Sequence, residues 1–353
     1  MNKAEYLHQL NQALSGLTDT EKDAAFHFCK EMLDDRMESG MTEEEAIAAM
    51  EPADVLAKKL MAEIRQTAPA APIIVEEPEI NGKQWQRMQL TCDADRLNHI
   101  RLQAGNMGIK IFLSHNNQVT LTYFTRAQNV YEAKVEGDTL ILLEQKAENH
   151  RFFNFNFSFG GPKLEITLEV PRDLMSSLKA FTKNGGISLE GPQMLTHVEL
   201  NTTNGGIAVS NTKCISIDAH TTNGGIAVSQ VETKQLFSFH TTNGGIAVKN
   251  CFSGENLTLG TTNGGVAVQN VQARQELTVS STNGGLKLNG LDAAAIHVRT
   301  SNSPISGSVK GPQSLWQIDS HTSNGRNSLP SYQDGQKPLS VRTSNGPIQM
   351  HFE

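Results

Sequence analysis

The octapeptide TTNGGIAV occurs three times, starting at Thr202, Thr221 and Thr241. Near-copies extend in both directions, and the asparagine of each copy recurs at steps of 19 to 22 residues. The asparagines are Asn184, Asn204, Asn223, Asn243, Asn263, Asn283, Asn302, Asn324 and Asn345. A nearly fixed period of this length indicates stacked structural units instead of a single globular core. Arrays of this kind present long surfaces, which favours binding over catalysis.

Each repeat encodes two short strands around its Asn-Gly pair. Apolar residues alternate with polar ones on both sides, as at Leu257 and Leu259 before Asn263 and at Val266 and Val268 after it. The Asn-Gly pair is expected to supply the positive φ angles of a sharp turn. A series of hairpins would also fit such turns, but a hairpin series does not require the same turn in every repeat.

A single-stranded β-solenoid with one repeat per coil does require that regularity. Equivalent residues then stack about 4.8 Å apart, so identical asparagines can form a ladder of amide hydrogen bonds. The predicted structural turn ladder comprises Asn184, Asn204, Asn223, Asn243, Asn263 and Asn283. The predicted fold is mainly β, with regular coils over 176–353.

An earlier coil is predicted around Asn106, because its apolar neighbours have the same spacing. These are Ile100, Leu102, Ile109 and Ile111. Between this coil and Asn184 the sequence predicts strands at 119–124, 131–135, 139–143 and 163–170, a hairpin turn at 136–138 and a loop at 151–161. This irregular β lobe is expected to cover 84–175.

Residues 1–66 lack the repeat and predict a small all-α domain. One helical face carries Tyr6, Leu7, Leu10 and Leu14, and capping boxes are expected at Thr18 with Glu21 and at Thr42 with Glu45. Pro52 is expected to open a last helix that ends near Ile64. Residues 67–83, with three prolines, are predicted to be a linker. We expect the helical domain to fold separately and to be removable by proteolysis in that linker.

The charge distribution agrees with this division. Residues 1–66 carry 14 Asp and Glu against 7 Lys and Arg, which leaves 23 of each sign in the remainder of the chain. The whole formal charge of −7 therefore resides in the helical domain. An acidic domain joined to a neutral rod argues against nucleic-acid binding, which needs a basic stripe. The carboxylates can also be simply the solvated faces of helices.

The expected location is cytoplasmic. No apolar run reaches 18 residues, and the start of the chain lacks the apolar segment of a signal peptide. No direct membrane insertion is therefore expected, and a surface location would require a non-classical route. The four cysteines show neither a CxxC spacing nor a disulfide framework, so they are expected to be reduced and buried.

Two family resemblances cover nearly the whole chain. The strand Leu168–Pro171 followed by Lys183–Ile187 and its repeats resembles the bacterial toast-rack β-solenoid family, also called putative adhesins. Residues 1–64 resemble the HAAS-type helical signalling domain of bacterial membrane-stress and regulator systems. The residues that carry this second resemblance are Lys3, Tyr6, Leu7, Leu10, Gly40, Glu43–Ala46 and Pro52. The segment before Pro52 departs from the usual Leu-Gly-x-Pro pattern. The resemblance implies a role in signalling through protein binding.

One surface of the solenoid is a candidate binding face. Four alanines lie between the inward apolar positions of successive coils and are expected to point outward: Ala208, Ala227, Ala247 and Ala267. Threonines directly before the asparagines form a second column: Thr203, Thr222, Thr242 and Thr262. A flat, uncharged face can dock a partner or a second solenoid. The alternative is that duplication copied these residues without a binding role.

Neither a metal site, a cofactor nor catalysis is expected. His220 and His240 occupy one slot in adjacent coils, but Gly260 interrupts the column and ligand-type residues are not clustered around it. Charges in the outward slots stand singly, whereas acid–base catalysis requires them in groups.

The sequence thus predicts a non-enzymatic signalling or regulatory scaffold whose helical domain binds a regulator or a membrane-stress component. The alternative is an adhesin-like or glycan-binding solenoid at a cell surface. The rod is expected to end in an unpaired edge at Met350–Glu353, blunted by Pro304, Pro330 and Pro347. A monomer or a weak homodimer is therefore expected.

Overall fold

A computed structural model describes residues 2–14, 19–67, 71–80, 83–126, 130–145 and 164–353. The chain divides into two compact units, Met1–Pro69 and Ala70–Glu353. We call them the helical unit and the solenoid unit and describe each by itself.

The helical unit contains four helices in its described residues. They are α1 (Lys3–Ala13), α2 (Asp19–Glu38), α3 (Glu43–Ala48) and α4 (Ala53–Thr67). The capping box predicted at Thr42 and Glu45 begins α3, and α4 begins directly after Pro52. A further box at Asn2 and Glu5, which the sequence analysis missed, begins α1. Thr18 lies outside the described residues.

Apolar side chains from all four helices form the core of this unit. Tyr6, Leu10 and Leu14 of the predicted face are buried, together with Cys29 and Leu33. The Tyr6 hydroxyl donates a hydrogen bond to the Glu51 carbonyl at 2.8 Å. Burial raises the pKa of this phenol to about 12, so it remains a hydrogen-bond donor at neutral pH.

The solenoid unit is built almost entirely of strands. In chain order they are β1 (Ile73–Glu76), β2 (Glu79–Ile80), β3 (Lys83–Gln84), β4 (Gln86–Asp93), β5 (His99–Ala104), β6 (Gly108–Leu113), β7 (Gln118–Thr125), β8 (Tyr131–Glu136), β9 (Thr139–Glu144), β10 (Glu165–Val170), β11 (Ser177–Thr182), β12 (Ile187–Glu190), β13 (Leu195–Thr202), β14 (Ile207–Ser210), β15 (Lys213–Thr221), β16 (Ile226–Ser229), β17 (Glu232–Thr233), β18 (Phe237–Thr241), β19 (Ile246–Ser253), β20 (Leu257–Thr261), β21 (Val266–Ala273), β22 (Glu276–Ser280), β23 (Leu286–Asp292), β24 (Ala295–Arg299), β25 (Ile305–Val309), β26 (Trp316–Thr322), β27 (Lys337–Thr343) and β28 (Ile348–Phe352). Single 3-10 turns lie at Ala94–Arg96 and Gln313–Leu315.

The predicted β-solenoid is confirmed. Strands before the Asn-Gly turn pair in parallel with their equivalents in the next coil, as β13 does with β15, and strands after the turn do the same, as β14 does with β16. The register is one to one, so Ile207 stands beside Ile226 and Val209 beside Val228. The inward Ile, Val, Leu and Phe side chains form one continuous buried core along the stack.

The coil predicted around Asn106 is present. Its strand β5 pairs in parallel with β11, and β6 pairs with β12, while Ile100 and Ile109 are buried. The strands predicted upstream of Asn184 correspond to β7, β8, β9 and β10, and Gly137 has a φ of 59° in the hairpin turn between β8 and β9. The loop predicted at 151–161 lies outside the described residues.

The prediction of a linker over 67–83 is wrong in part. Helix α4 extends to Thr67, and β1 within this range pairs antiparallel with β4. The β-branched residues Ile73, Ile74 and Val75 favour a strand despite the flanking prolines. All three side chains remain exposed.

Among the regular coils over 176–353, the spatial order departs from chain order in one place. Strand β27 pairs with β24 on one side and with β26 on the other, so the coil of β27 and β28 lies between two coils that precede it in the sequence. The predicted edge at Met350–Glu353 is paired on the side that faces β25, and the stack ends at another coil, that of β26. Strand β28 pairs with β25, and the Glu353 N–H donates to the Val309 carbonyl at 3.0 Å.

The coil of β26 ends the stack instead, and the chain covers its outer edge. Ile318 forms an antiparallel bridge with Tyr332, and the Ser320 hydroxyl donates to the Leu329 carbonyl at 2.7 Å. Pro330 belongs to this covering segment, whereas Pro304 and Pro347 lie in inner turns whose carbonyls accept hydrogen bonds from Leu286 and Ile305.

Candidate functional site

The four alanines of the candidate face form one straight exposed column, which we call the Ala column. Ala208 stands beside Ala227, Ala227 beside Ala247 and Ala247 beside Ala267, each pair on adjacent parallel strands. All four are exposed because the inward Ile and Val positions on either side of them fix their orientation. The outward direction expected from the repeat pattern is thus the one observed.

Shallow grooves run along both sides of the Ala column. The larger has a volume of about 660 Å³ and is walled by the column that contains Ser210, Ser229 and Lys249. The other, of about 470 Å³, runs past the exposed glycines Gly245 and Gly265 to Pro304. Since glycine and alanine carry little or no side chain, the floor between these walls is flat and largely apolar.

The charges around these grooves are few and of one sign. Lys249 and Lys287 line the larger groove, and neither groove is lined by Asp or Glu. Lys287 follows Ala267 in the column, and Ser188 precedes Ala208. A ligand in the larger groove would therefore meet an apolar floor with cationic groups toward one end.

The threonine column of the candidate face lies apart from these grooves. Thr203, Thr222 and Thr242 are half-buried, Thr262 is exposed, and none of the four lines either groove. They stand before the Asn-Gly turn, whereas the alanines stand after it. The structure therefore does not unite the two predicted columns in one site.

A different threonine column, missed by the sequence analysis, lies inside the turn. Thr202, Thr221, Thr241 and Thr261 are buried. The Thr221 hydroxyl donates to the Gly205 carbonyl of the previous coil at 2.8 Å and accepts from the Gly224 N–H of its own coil at 3.2 Å. Each hydroxyl thus joins two coils and satisfies buried backbone groups. The sequence signal for this column is the first Thr of each Thr-Thr pair, which falls on an inward-facing position of its strand.

The asparagines form one uninterrupted ladder of side-chain amides. Each Nδ2 donates to the Oδ1 of the neighbouring rung at 2.5 to 2.9 Å. In spatial order the rungs are Asn106, Asn184, Asn204, Asn223, Asn243, Asn263, Asn283, Asn302, Asn345 and Asn324. The predicted ladder residues thus have a structural role and are not placed to contact a ligand in the grooves.

The expectation of positive φ at the Asn-Gly pairs is wrong. Among described residues other than glycine, only Asn211, Gln230, Asn250 and Asn270 have positive φ, all close to 50°. These four occupy a second corner, which directly follows β14 and β16 and lies within β19 and β21.

Glycine follows eight of the ten ladder asparagines for a different reason, namely backbone contact. A Cβ on Gly205 would lie 1.8 Å from the Gly185 carbonyl oxygen, and a Cβ on Gly224 would lie 1.8 Å from the Gly205 oxygen. Any side chain at these positions would separate the coils.

The histidine column extends over two adjacent coils. His220 and His240 are in register on β15 and β18, followed by Gly260 on β20. The His240 ring occupies the space beside Gly260, since a Cβ there would lie 2.6 Å from its Cδ2 atom. Burial lowers the pKa of His240, which favours the neutral imidazole. Nowhere in the described part of the chain do three His, Cys, Asp or Glu side chains converge as metal ligands.

The four cysteines are free thiols. Cys29, Cys214 and Cys251 are buried and Cys92 is half-buried. Burial raises the pKa of Cys214 to about 12 and those of Cys92 and Cys251 to about 11. These thiols are therefore protonated at neutral pH and unsuited to nucleophilic chemistry.

Among the described residues, no helix is both long and apolar enough to span a membrane.

Comparison with known proteins places both units in context. Residues 97–351 match the family model described as Toastrack DUF4097, and residues 5–59 match the one described as HAAS. Both matches fall on the segments in which the sequence motifs predicted them.

Two similar solved structures are each described as a putative adhesin. The one from Bacteroides fragilis is 15% identical with a TM-score of 0.39 and covers 75% of this chain and 97% of its own. The one from Parabacteroides merdae is 10% identical with a TM-score of 0.40 and covers 77% and 96%. A tRNA sulfurtransferase of Shewanella pealeana is 23% identical over 137 residues, which are 37% of this chain. The chain spans only 26% of that enzyme's length.

Proposed function

This chain belongs to the Toastrack DUF4097 family, and from that premise and its HAAS match we propose that it is a non-enzymatic regulatory scaffold that binds another protein. Its helical unit binds a regulator or a membrane-stress component of a bacterial signalling system. The observation that carries the proposal is the HAAS match over residues 5–59, because those residues form a compact unit with its own core.

The surface of the helical unit supports a role in protein binding. The segment carries an excess of seven negative charges, and the Phe28 side chain on α2 is 48% exposed. Other exposed apolar side chains are Met37, Met41 and Val55. Aromatic and methionine side chains are enriched at protein interfaces, and surrounding charge steers an oppositely charged partner. A basic partner segment with an apolar face fits this surface.

An adhesin-like or glycan-binding solenoid is the second candidate function. The feature that favours it is the groove along the Ala column, which is open, shallow and about 660 Å³ in volume. In this alternative the ligand lies along the stacked coils, and the helical unit has another task.

Capture experiments with the full chain distinguish the two functions. Phe28→Ser alters the exposed surface of α2, and Ala227→Lys obstructs the groove in the middle of the Ala column. We expect a specific partner protein to be retained by the wild-type chain and by Ala227→Lys, and to be lost with Phe28→Ser. Retention by Phe28→Ser together with loss by Ala227→Lys would contradict the proposal. Glycan-array binding that Ala227→Lys abolishes would establish the alternative.

A further inference from the structure

The non-sequential coil order brings together three basic side chains from distant parts of the sequence. Arg299 on β24 stands beside Arg342 on β27, and Arg342 stands beside His321 on β26. All three are exposed on the outer face of the same parallel sheet. We call this group the arginine stack. No repeat-based alignment would place Arg299 next to Arg342, because the coil of His321 separates them in the sequence.

The charge of the arginine stack is incompletely balanced. Arg342 forms an ion pair with Asp319, which lies two residues before His321 on the same strand. In the part of the chain that the structure describes, Arg299 forms no ion pair with Asp or Glu. Like charges directly opposite each other on adjacent strands repel. The stack therefore has the charge and the exposure to attract an anion.

The geometry of the strands suits an oxyanion. In-register parallel strands place the two arginine backbones about 4.8 Å apart. Guanidinium groups present planar forks of N–H donors that match the oxygens of phosphate and can bind them in pairs. Two forks at this spacing can contact different oxygens of one tetrahedral ion, and the His321 ring supplies a further donor on the third strand.

We propose that Arg299, Arg342 and His321 form a binding site for a phosphate group. Bound phosphate bridges the two guanidinium groups and removes their mutual repulsion. Asp319 holds Arg342 on one side and leaves Arg299 as the group with free donors. All three residues belong to the solenoid unit, and none of them lines a groove along the Ala column.

Calorimetric titration of the full chain with inorganic phosphate tests the site, at an ionic strength kept constant with chloride. We expect saturable binding, about tenfold weaker in Arg299→Gln, as loss of a charge-assisted hydrogen bond predicts. The matched control is Arg326→Gln, since Arg326 is exposed in the same region but lies outside the stack. Binding to the control with wild-type affinity is expected. Equal affinity in all three proteins, or no saturable heat in the wild type, would overturn the proposal.

A second readout separates repulsion from simple loss of structure. In phosphate-free, low-salt buffer, Arg299→Gln removes a like-charge contact, so its melting midpoint should equal or exceed that of the wild type. Added phosphate should raise the midpoint of the wild type and of Arg326→Gln but not that of Arg299→Gln. A midpoint of Arg299→Gln below the wild type without phosphate would overturn the assignment of an unbalanced stack.

The source of the phosphate group is addressed with glycerol phosphate as a second probe. Binding as tight as that of inorganic phosphate indicates a site for a phosphomonoester on a larger molecule. Weaker binding of the ester indicates a site for the free ion.

Discussion

Asn345 donates a side-chain hydrogen bond to Asn302 at 2.9 Å, although 43 positions separate the two residues. It also accepts one from Asn324 at 2.8 Å, so the later coil is inserted between two earlier ones. The residues at the inward-facing positions of β26 and β27 explain this order of coils. Strand β27 offers Leu339 and Val341 to the core, whereas β26 offers Ser320 at the slot beside Val341. A hydroxyl in that slot is tolerated at the end of the stack, where Leu329 accepts its hydrogen bond.

This order predicts unequal costs for two equivalent asparagines. Asn345→Ala removes an amide that donates and accepts within the ladder, whereas Asn324→Ala removes only a donated bond. Since a net hydrogen bond contributes about 0.5–1.5 kcal/mol, we expect Asn345→Ala to lower the free energy of unfolding by about 1 kcal/mol more than Asn324→Ala does. Urea denaturation followed by circular dichroism measures the difference. The opposite ranking is expected if the coils stack in chain order.

The two glycines of one turn should tolerate alanine very differently. A Cβ on Gly205 would lie 1.8 Å from the Gly185 carbonyl oxygen, whereas a Cβ on Gly206 would lie 3.1 Å from the Gly225 oxygen. We expect Gly205→Ala to lower the free energy of unfolding by about 3 kcal/mol or more and Gly206→Ala by about 1 kcal/mol. Denaturant midpoints of the two variants provide the test. Similar midpoints would show that the coils separate readily at the turn.

Replacement of asparagine by glycine should have different effects at the Asn-Gly turn and at the second corner. Asn243 donates to Asn223 and accepts from Asn263, each at 2.7 Å, so its replacement by Ala or Gly should cost about 1–3 kcal/mol in either case. Asn250 has a φ of 52°, so Ala should cost about 1 kcal/mol there, while Gly restores most of that loss. Thermal melting of the four variants checks the pattern. Rescue of position 243 by glycine would mean that φ, and not the amide, determines the choice of residue.

The buried thiols should resist alkylation in the folded protein. Burial holds the pKa of Cys214 near 12 and that of Cys251 near 11, so the reactive thiolate is scarce at pH 8. We expect iodoacetamide at pH 8 to label these two residues much more slowly in buffer than in guanidinium chloride, as read by peptide mass spectrometry. Cys92, which is half-buried with a pKa near 11, is the internal comparison for access. Rapid labelling of Cys214 in buffer would contradict its burial.

Much of the solenoid follows from the sequence because its coils differ little from one another. The alternation around Asn106 was sufficient to identify a coil far upstream of the regular repeats, and Ile100 and Ile109 are buried as it requires. The Ala column was predictable for the same reason, since parity within a strand fixes the direction of each side chain.

Other features depend on contacts that a repeat pattern does not encode. Asn324 and Asn345 both follow a serine and precede a glycine, so the motif alone does not say which coil adjoins Asn302. The polar Ser320 at an inward slot was the available signal. Glycine is required at position 205 by the backbone of the previous coil and not by local conformation, and a single repeat contains no information about the distance between coils. The arginine stack could not be predicted from the sequence either, because it depends on the same order of coils.

The inserted coil also has a consequence for synthesis on the ribosome. Coils up to the one containing Asn302 can dock one after another as they emerge, because each rests on its predecessor in the chain. The segment of β26 emerges next, but its neighbour in the finished rod, β27, does not yet exist. Residues 313–332 must therefore wait undocked, or leave a provisional position, until β27 and β28 have been made. The solenoid can therefore assemble in the order of synthesis up to Asn302, but beyond that residue the chain must rearrange.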